Sequence, residues 1–439
     1  MKRLINQKLI NWACHPRRKP LLLRGARQVG KTYSVEMLAR QKFRNQMVKI
    51  DFEKNPSFAK IFTPDLDCRR IVSELGFTTG QSIIPGETLL FLDEIQQCPK
   101  AIMALRYFYE ELPELHVIAA GSLLEFAFAE ISFPVGRIQF LHMYPLNFME
   151  YLTAIGRENL AELISKKPAL LPETVHELLR QELYRYFIIG GMPEAVLAYV
   201  NTKSIRESQA VQNELINSFR NDFSKYAPKA NKICLEEVFT SIAKNVGQQI
   251  KYAHLAHDFS GATIKQAFNL LSMAQVITPV FSSHPPVLPL GASTQNKIFK
   301  ALMLDIGIMQ HLCDLPVTLH DLGKNLLSIY RGALAEQFVG QELRMAQEQD
   351  QMYYWQRAEK SSSAEVDYLA IVENKLIPVE VKSGAAGRLR SMHMFLQNYS
   401  QSTYGYVFLD APYQVLEEQK LIFMPLYYVY AACSSKTEP

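Results

Sequence analysis

Paired cysteines are missing from this 439-residue sequence. Its six cysteines, Cys14, Cys68, Cys98, Cys234, Cys313 and Cys433, stand far apart, with no Cys-x-x-Cys and no nearby Cys/His set. Neither a disulfide framework nor a zinc site is indicated, and a reducing compartment is the default. Long apolar runs are also missing. No window reaches roughly eighteen uncharged apolar residues, so no membrane span is expected. The basic start MKRLINQKLINWACHPRRKP lacks the apolar stretch of a signal peptide, and a cytoplasmic location is expected. Nor is there a large surplus of one charge: 47 Lys and Arg face 43 Asp and Glu, a formal net of +4. That permits a nucleic-acid partner through a local patch without demanding one. What remains is an ordinary globular composition, 48% hydrophobic and 21% charged. The length suits about two to four domains.

The first chemistry is in PLLLRGARQVGKTYSVEMLAR. An apolar run is followed by a loop that fits G-x-x-x-x-G-K-[ST] in full, and then by a helical pattern. Gly25, Ala26, Arg27, Gln28, Val29, Gly30, Lys31 and Thr32 form this loop. Its backbone N–H groups would hold phosphates, and the helix start favours negative charge there. Lys31 should reach the outer phosphates of ATP, and Thr32 should ligate Mg²⁺. Downstream, ETLLFLDEIQQCP reads as a buried strand that ends in Asp93 and Glu94. Acids leaving the carboxyl end of a parallel strand enter the crevice where such sheets bind ligands. Asp93 can hold the metal's water shell and Glu94 can orient an attacking water. The next strand, LHVIAAGS, ends in Ser122, either a γ-phosphate sensor or a helix cap.

These residues resemble the AAA+ superfamily, in particular a prokaryotic branch carrying GARQVGKT, LDEIQ, GS and GR before a strand. The resemblance covers about residues 1–150. It implies an ATPase domain on a parallel sheet, with Arg137 as a charge stabiliser near the γ-phosphate, in cis or from a neighbouring subunit. A surface or salt-bridged arginine is the competing reading.

Residues 151–230 read as a helical linker or lid, with GGMPEAV as a break between helices. Residues 231–290 read as helix, short helix, turn, helix and strand, which a following β-wing would make winged-helix-like. Thr263, Lys265, Gln266 and Asn269 would then face a DNA groove. Only one of them is cationic, and packing between domains is the competing role. His254 and His257 lack a third metal ligand. Asp305 reads as a turn or cap.

Residues 291–439 carry the second constellation. Glu336 shares a helical face with Val339 and Leu343. A carboxylate on an apolar stripe is costly unless paired or bound to a cation. In EVDYLAIVENKLIPVEVKSG, alternation puts Glu380 and Lys382 on one strand face. Pairing of Ile371 with Leu376 would set Asp367 opposite Glu380. Two carboxylates so close would repel, unless a divalent cation, Mg²⁺ or Mn²⁺, sat between them. This set resembles the PD-(D/E)XK nuclease superfamily over residues 325–415, with Val366-Asp367 in place of Pro-Asp. The resemblance implies a restriction-endonuclease-like α/β domain, with Glu336, Asp367, Glu380 and Lys382 as catalytic residues. An inherited fold whose acids and lysine only pair is the competing reading.

The chain as a whole is thus expected to be an α/β protein in which ATP hydrolysis controls a metal-dependent nuclease-like domain. The alternative is a nucleotide-dependent switch or adaptor in which the winged helix and an inactive nuclease-like fold only bind partners. DNA, a protein partner and a second copy of the chain stay open as partners.

Overall fold

The computed structural model describes residues 1–128, 136–226, 230–313, 328–348, 351–357, 364–382 and 389–434. It divides into two compact units, residues 1–144 and 145–439.

The N-terminal unit is built on five strands: β1 (Leu21–Arg24), β2 (Met47–Asp51), β3 (Leu89–Asp93), β4 (His116–Ala120) and β5 (Gln139–His142). All pair in parallel, in the order β2-β3-β4-β1-β5. β3 and β4 are buried along their whole lengths, which is why they read as unbroken apolar runs. Strand order decides what meets the phosphate loop. β4 lies between β1 and β3, so Ser122 leaves the sheet between the phosphate loop and the Asp93-Glu94 pair.

The C-terminal unit contains an eight-stranded mixed sheet, ordered β12-β13-β11-β10-β9-β8-β6-β7. Its strands are β6 (Ile277–Ser283), β7 (Thr294–Met303), β8 (Met352–Gln356), β9 (Glu365–Val372), β10 (Lys375–Lys382), β11 (Gly405–Leu409), β12 (Gln414–Leu416) and β13 (Leu421–Pro425). Ile371 pairs with Leu376, the expected register. Glu373 and Asn374 make the turn with φ of 49° and 60°, the left-handed pair that suits a two-residue hairpin. The helices Lys232–Lys244 and Gly261–Met273 precede the β6–β7 hairpin, the candidate wing expected from the sequence. The hairpin, however, does not form a free wing. β6 pairs with β8, so both strands extend the sheet formed by β8 to β13. The expected boundary at residue 290 falls inside this hairpin, and the expected domains 151–230, 231–290 and 291–439 share one compact unit.

Two buried acids hold backbone in this unit. Asp305 caps the Ile306–Leu312 helix, accepting from Gly307 and Ile308, and also takes the Gly191 N–H at 2.6 Å. It therefore ties down the Gly190-Gly191 break between helices. Glu342 accepts from the Phe148 N–H at 2.9 Å, and burial pushes its pKa up from 4.5 to about 8. Its contribution to stability is complete below about pH 4.5 and is lost as pH rises through about 8. Glu342→Gln keeps an acceptor and removes the charge. Thermal unfolding should show a midpoint raised by about 2 °C or more at pH 8, with a smaller gain at pH 5.

Candidate functional sites

In the N-terminal unit the phosphate loop leaves β1 and enters the Lys31–Lys42 helix through Gly30, whose φ is 96°. Gly25, at φ 147°, lies so close to the Met143 carbonyl that a Cβ there would run into it. Lys31 is buried, and its Nζ donates to the Gly25 and Ala26 carbonyls at 2.9 and 2.8 Å. Burial lowers its pKa to about 8, opposed by the nearby Glu94 and Asp93 charges. The ammonium thus rests on loop carbonyls where phosphate oxygens would receive it. Arg27 lies 3.8 Å from Glu53.

Thr32 Oγ1 donates to Asp93 Oδ2 at 3.0 Å, so the two residues expected on the metal side lie together. A hydroxyl, a carboxylate and phosphate oxygens make an oxygen-donor set that fits Mg²⁺. Glu94 sits at φ 50°, a left-handed conformation uncommon outside glycine and typical of functional positions. Gln96 Nε2 donates to one Glu94 oxygen at 2.5 Å, and Ser122 Oγ approaches the other at 3.5 Å. Ser122 therefore faces Glu94. Gln96 and Lys49 belong to this site and were not expected from the sequence. Lys49 Nζ lies 3.1 Å from Asp93 Oδ2.

Arg137, the expected charge stabiliser, is placed away from the phosphate loop. It precedes β5, which neighbours β1 and runs parallel to it, so it lies at the opposite end of the strands from the phosphate loop. There its Nε donates to Glu110 at 2.8 Å. Arg137→Ala should leave monomer ATP turnover within about twofold of wild type, as expected of an exposed ion pair away from the site. A malachite-green assay at low protein concentration checks it.

In the C-terminal unit the expected acids do converge, around a residue the sequence did not single out. Lys300, buried on β7, places its Nζ 2.7 Å from Glu336, 3.2 Å from Asp367 and in direct contact with Glu365. The Tyr354 ring lies 5.6 Å away. Asp367 also accepts from the Val381 N–H at 2.8 Å. Glu380 pairs with Lys382 at 2.6 Å. Four carboxylates thus share two ammonium groups. Burial and the neighbouring Asp367 push Glu336 and Glu380 each up to about 7.

This arrangement does not fit a divalent cation held between Asp367 and Glu380. Lys300 already supplies a cation to three of the four acids, and Lys382 engages the fourth. No cluster suited to a metal ion occurs among the described residues. Asp367 and Glu380, the residues expected to hold the metal, are engaged by Lys300 and Lys382 instead. Of the residues expected to face a DNA groove, Lys265, Gln266 and Asn269 are exposed and Thr263 is half-buried on the Gly261–Met273 helix. No helix among the described residues is long and apolar enough to cross a membrane.

Residues 17–152 match the family described as an AAA domain. Residues 180–319 and 331–429 match two domains of unknown function, DUF8612 and DUF4143. Similar solved structures include the Walker-type ATPase PABY2304 of Pyrococcus abyssi, at 14% identity, covering 71% of this chain and 95% of that one, TM-score 0.46. The Aeropyrum pernix ORC1 protein in complex with DNA matches at 11% identity, covering 72% and 94%, TM-score 0.33. The Thermotoga maritima RuvB Holliday junction branch migration motor matches at 16%, covering 64% and 89%, TM-score 0.30. No curated protein matches the sequence.

Proposed function

From an N-terminal P-loop ATPase domain of the AAA type, we propose that this chain is a Mg²⁺-dependent ATP switch. In it, nucleotide turnover controls a C-terminal domain that binds a partner and does not cut nucleic acid. Lys31 would hold the β- and γ-phosphates, while Thr32 and Asp93 would hold Mg²⁺, which neutralises charge on the phosphates. Glu94, fixed between Gln96 and Ser122, would orient the attacking water. The binding role of the C-terminal domain is carried by one observation: Lys300 lies among Glu336, Glu365 and Asp367. The exposed face of Lys265, Gln266 and Asn269 is the natural candidate for a DNA contact.

The competing reading, a metal-dependent nuclease, draws on the convergence of Asp367, Glu380 and Lys382. Incubation of plasmid and oligonucleotides with Mg²⁺ or Mn²⁺, with and without ATP, separates the two. Wild type would be run beside Lys31→Ala and Asp367→Ala. ATP hydrolysis that needs Lys31, with intact nucleic acid throughout, is the expected result. Cleavage that disappears with Asp367→Ala would overturn the switch and restore the nuclease.

A further inference from the structure

Lys49 sits in the middle of β2, on a strand that alternates buried and half-buried positions. Such a lysine ordinarily points its ammonium into water. Here the Nζ turns back to Asp93 Oδ2, at 3.1 Å, and lies 3.9 Å from Glu36 Oε1 on the Lys31–Lys42 helix. It also lies 5.7 Å from the centre of the Phe91 ring, the residue opposite it in the parallel ladder. The Asp93 side chain is buried. Its Oδ2 receives both the Lys49 ammonium and the Thr32 hydroxyl, and its Oδ1 receives the Glu94 N–H at 3.2 Å. Each oxygen of the metal-side carboxylate is therefore already engaged.

A divalent cation at Thr32 and Asp93 needs that same Oδ2 side. Thr32 would have to turn a lone pair, not its proton, toward the metal. Lys49 would stand a few ångströms from the ion, where like charges repel. Its backbone is fixed by the β2–β3 ladder, but its four-carbon stem is not. Glu36 offers a second seat within one swing of the side chain.

We propose that Lys49 is an internal counter-cation that neutralises Asp93 before nucleotide arrives, and that it moves to Glu36 when Mg·ATP binds. Lys49 thereby sets the Mg²⁺ concentration at which the site loads. This inference rests on the assignment of Thr32 and Asp93 as the metal-side pair. It makes Lys49 a positioning residue, since it acts through Asp93 and Glu36.

The test is binding rather than turnover. Fluorescent ATP-analogue titrations across a Mg²⁺ series would compare wild type, Lys49→Met, Glu36→Gln and Asp93→Asn, each checked for folding by circular dichroism. A unit charge about 5 Å from a divalent ion repels it by more than RT even in water. Lys49→Met should therefore lower the half-saturating Mg²⁺ concentration by about tenfold, while affinity for metal-free nucleotide stays within about threefold. Glu36→Gln, which removes the second seat, should raise the Mg²⁺ requirement. An unchanged or higher Mg²⁺ requirement in Lys49→Met overturns the proposal. Weaker binding with and without metal overturns it too, because it would make Lys49 a phosphate ligand. If Asp93→Asn leaves the Mg²⁺ dependence intact, the failure lies in the metal-side assignment itself.

Discussion

Glu94→Gln is expected to slow ATP turnover by about 10²- to 10⁴-fold, the usual scale for losing a positioned general base. Nucleotide affinity should change by no more than a few-fold. The contrast follows from geometry. Glu94 touches the Gln96 amide and the Ser122 hydroxyl, whereas the Lys31 ammonium lies on carbonyls of the phosphate loop. Glutamine fills the same volume and keeps one acceptor, but it cannot take a proton from water. Single-turnover hydrolysis and equilibrium binding, measured on the same protein, separate the two effects. A variant that binds weakly but hydrolyses what it binds at a normal rate would move Glu94 out of catalysis and into phosphate binding.

Lys300→Met is expected to destabilise the C-terminal unit by about 3–5 kcal/mol near neutral pH, the range for removing one partner of a buried ionic group. Methionine approximates the length of the stem, so packing loss contributes little. What remains is Glu336, Glu365 and Asp367 without the ammonium that faces all three. Their mutual repulsion is relieved by protonation, so the deficit should shrink as pH falls toward 5. Urea midpoints at two pH values measure this. A cost below about 1 kcal/mol at neutral pH would mean that water or a dissolved cation takes the place of Lys300 without difficulty, and the argument against a metal there would fail.

The contrast between Glu94 and Lys300 shows what a sequence makes legible. The phosphate loop is contiguous, and its backbone geometry requires Gly and Lys-Thr at fixed offsets, so eight neighbouring residues declare it. The β9–β10 hairpin is nearly as local, because a two-residue turn fixes the register of everything above it. Lys300 lies 36 residues from Glu336 and 67 from Asp367, so no local pattern links them. One signal was available: in IFKALML a lysine interrupts an otherwise apolar strand, and a charge placed there needs a buried partner. Lys49 gave no such signal, since MVKID alternates as any half-exposed strand does. Arg137 misled for a different reason. Proximity to a motif says nothing about which end of a sheet a residue occupies, and that depends on strand direction.

The shared C-terminal sheet bears on how this protein can be divided and inherited. Lys300 comes from the segment matched by one family, residues 180–319, and the acids it serves come from the segment matched by the other, residues 331–429. Cutting between them would leave the downstream fragment with its acids and without their main counter-charge. It would also uncover the flank of β8 that β6 now covers. The two stretches are therefore expected to be inherited together. A recombination event that swapped either half between relatives would survive only where the incoming partner restored both the lysine and the missing strands.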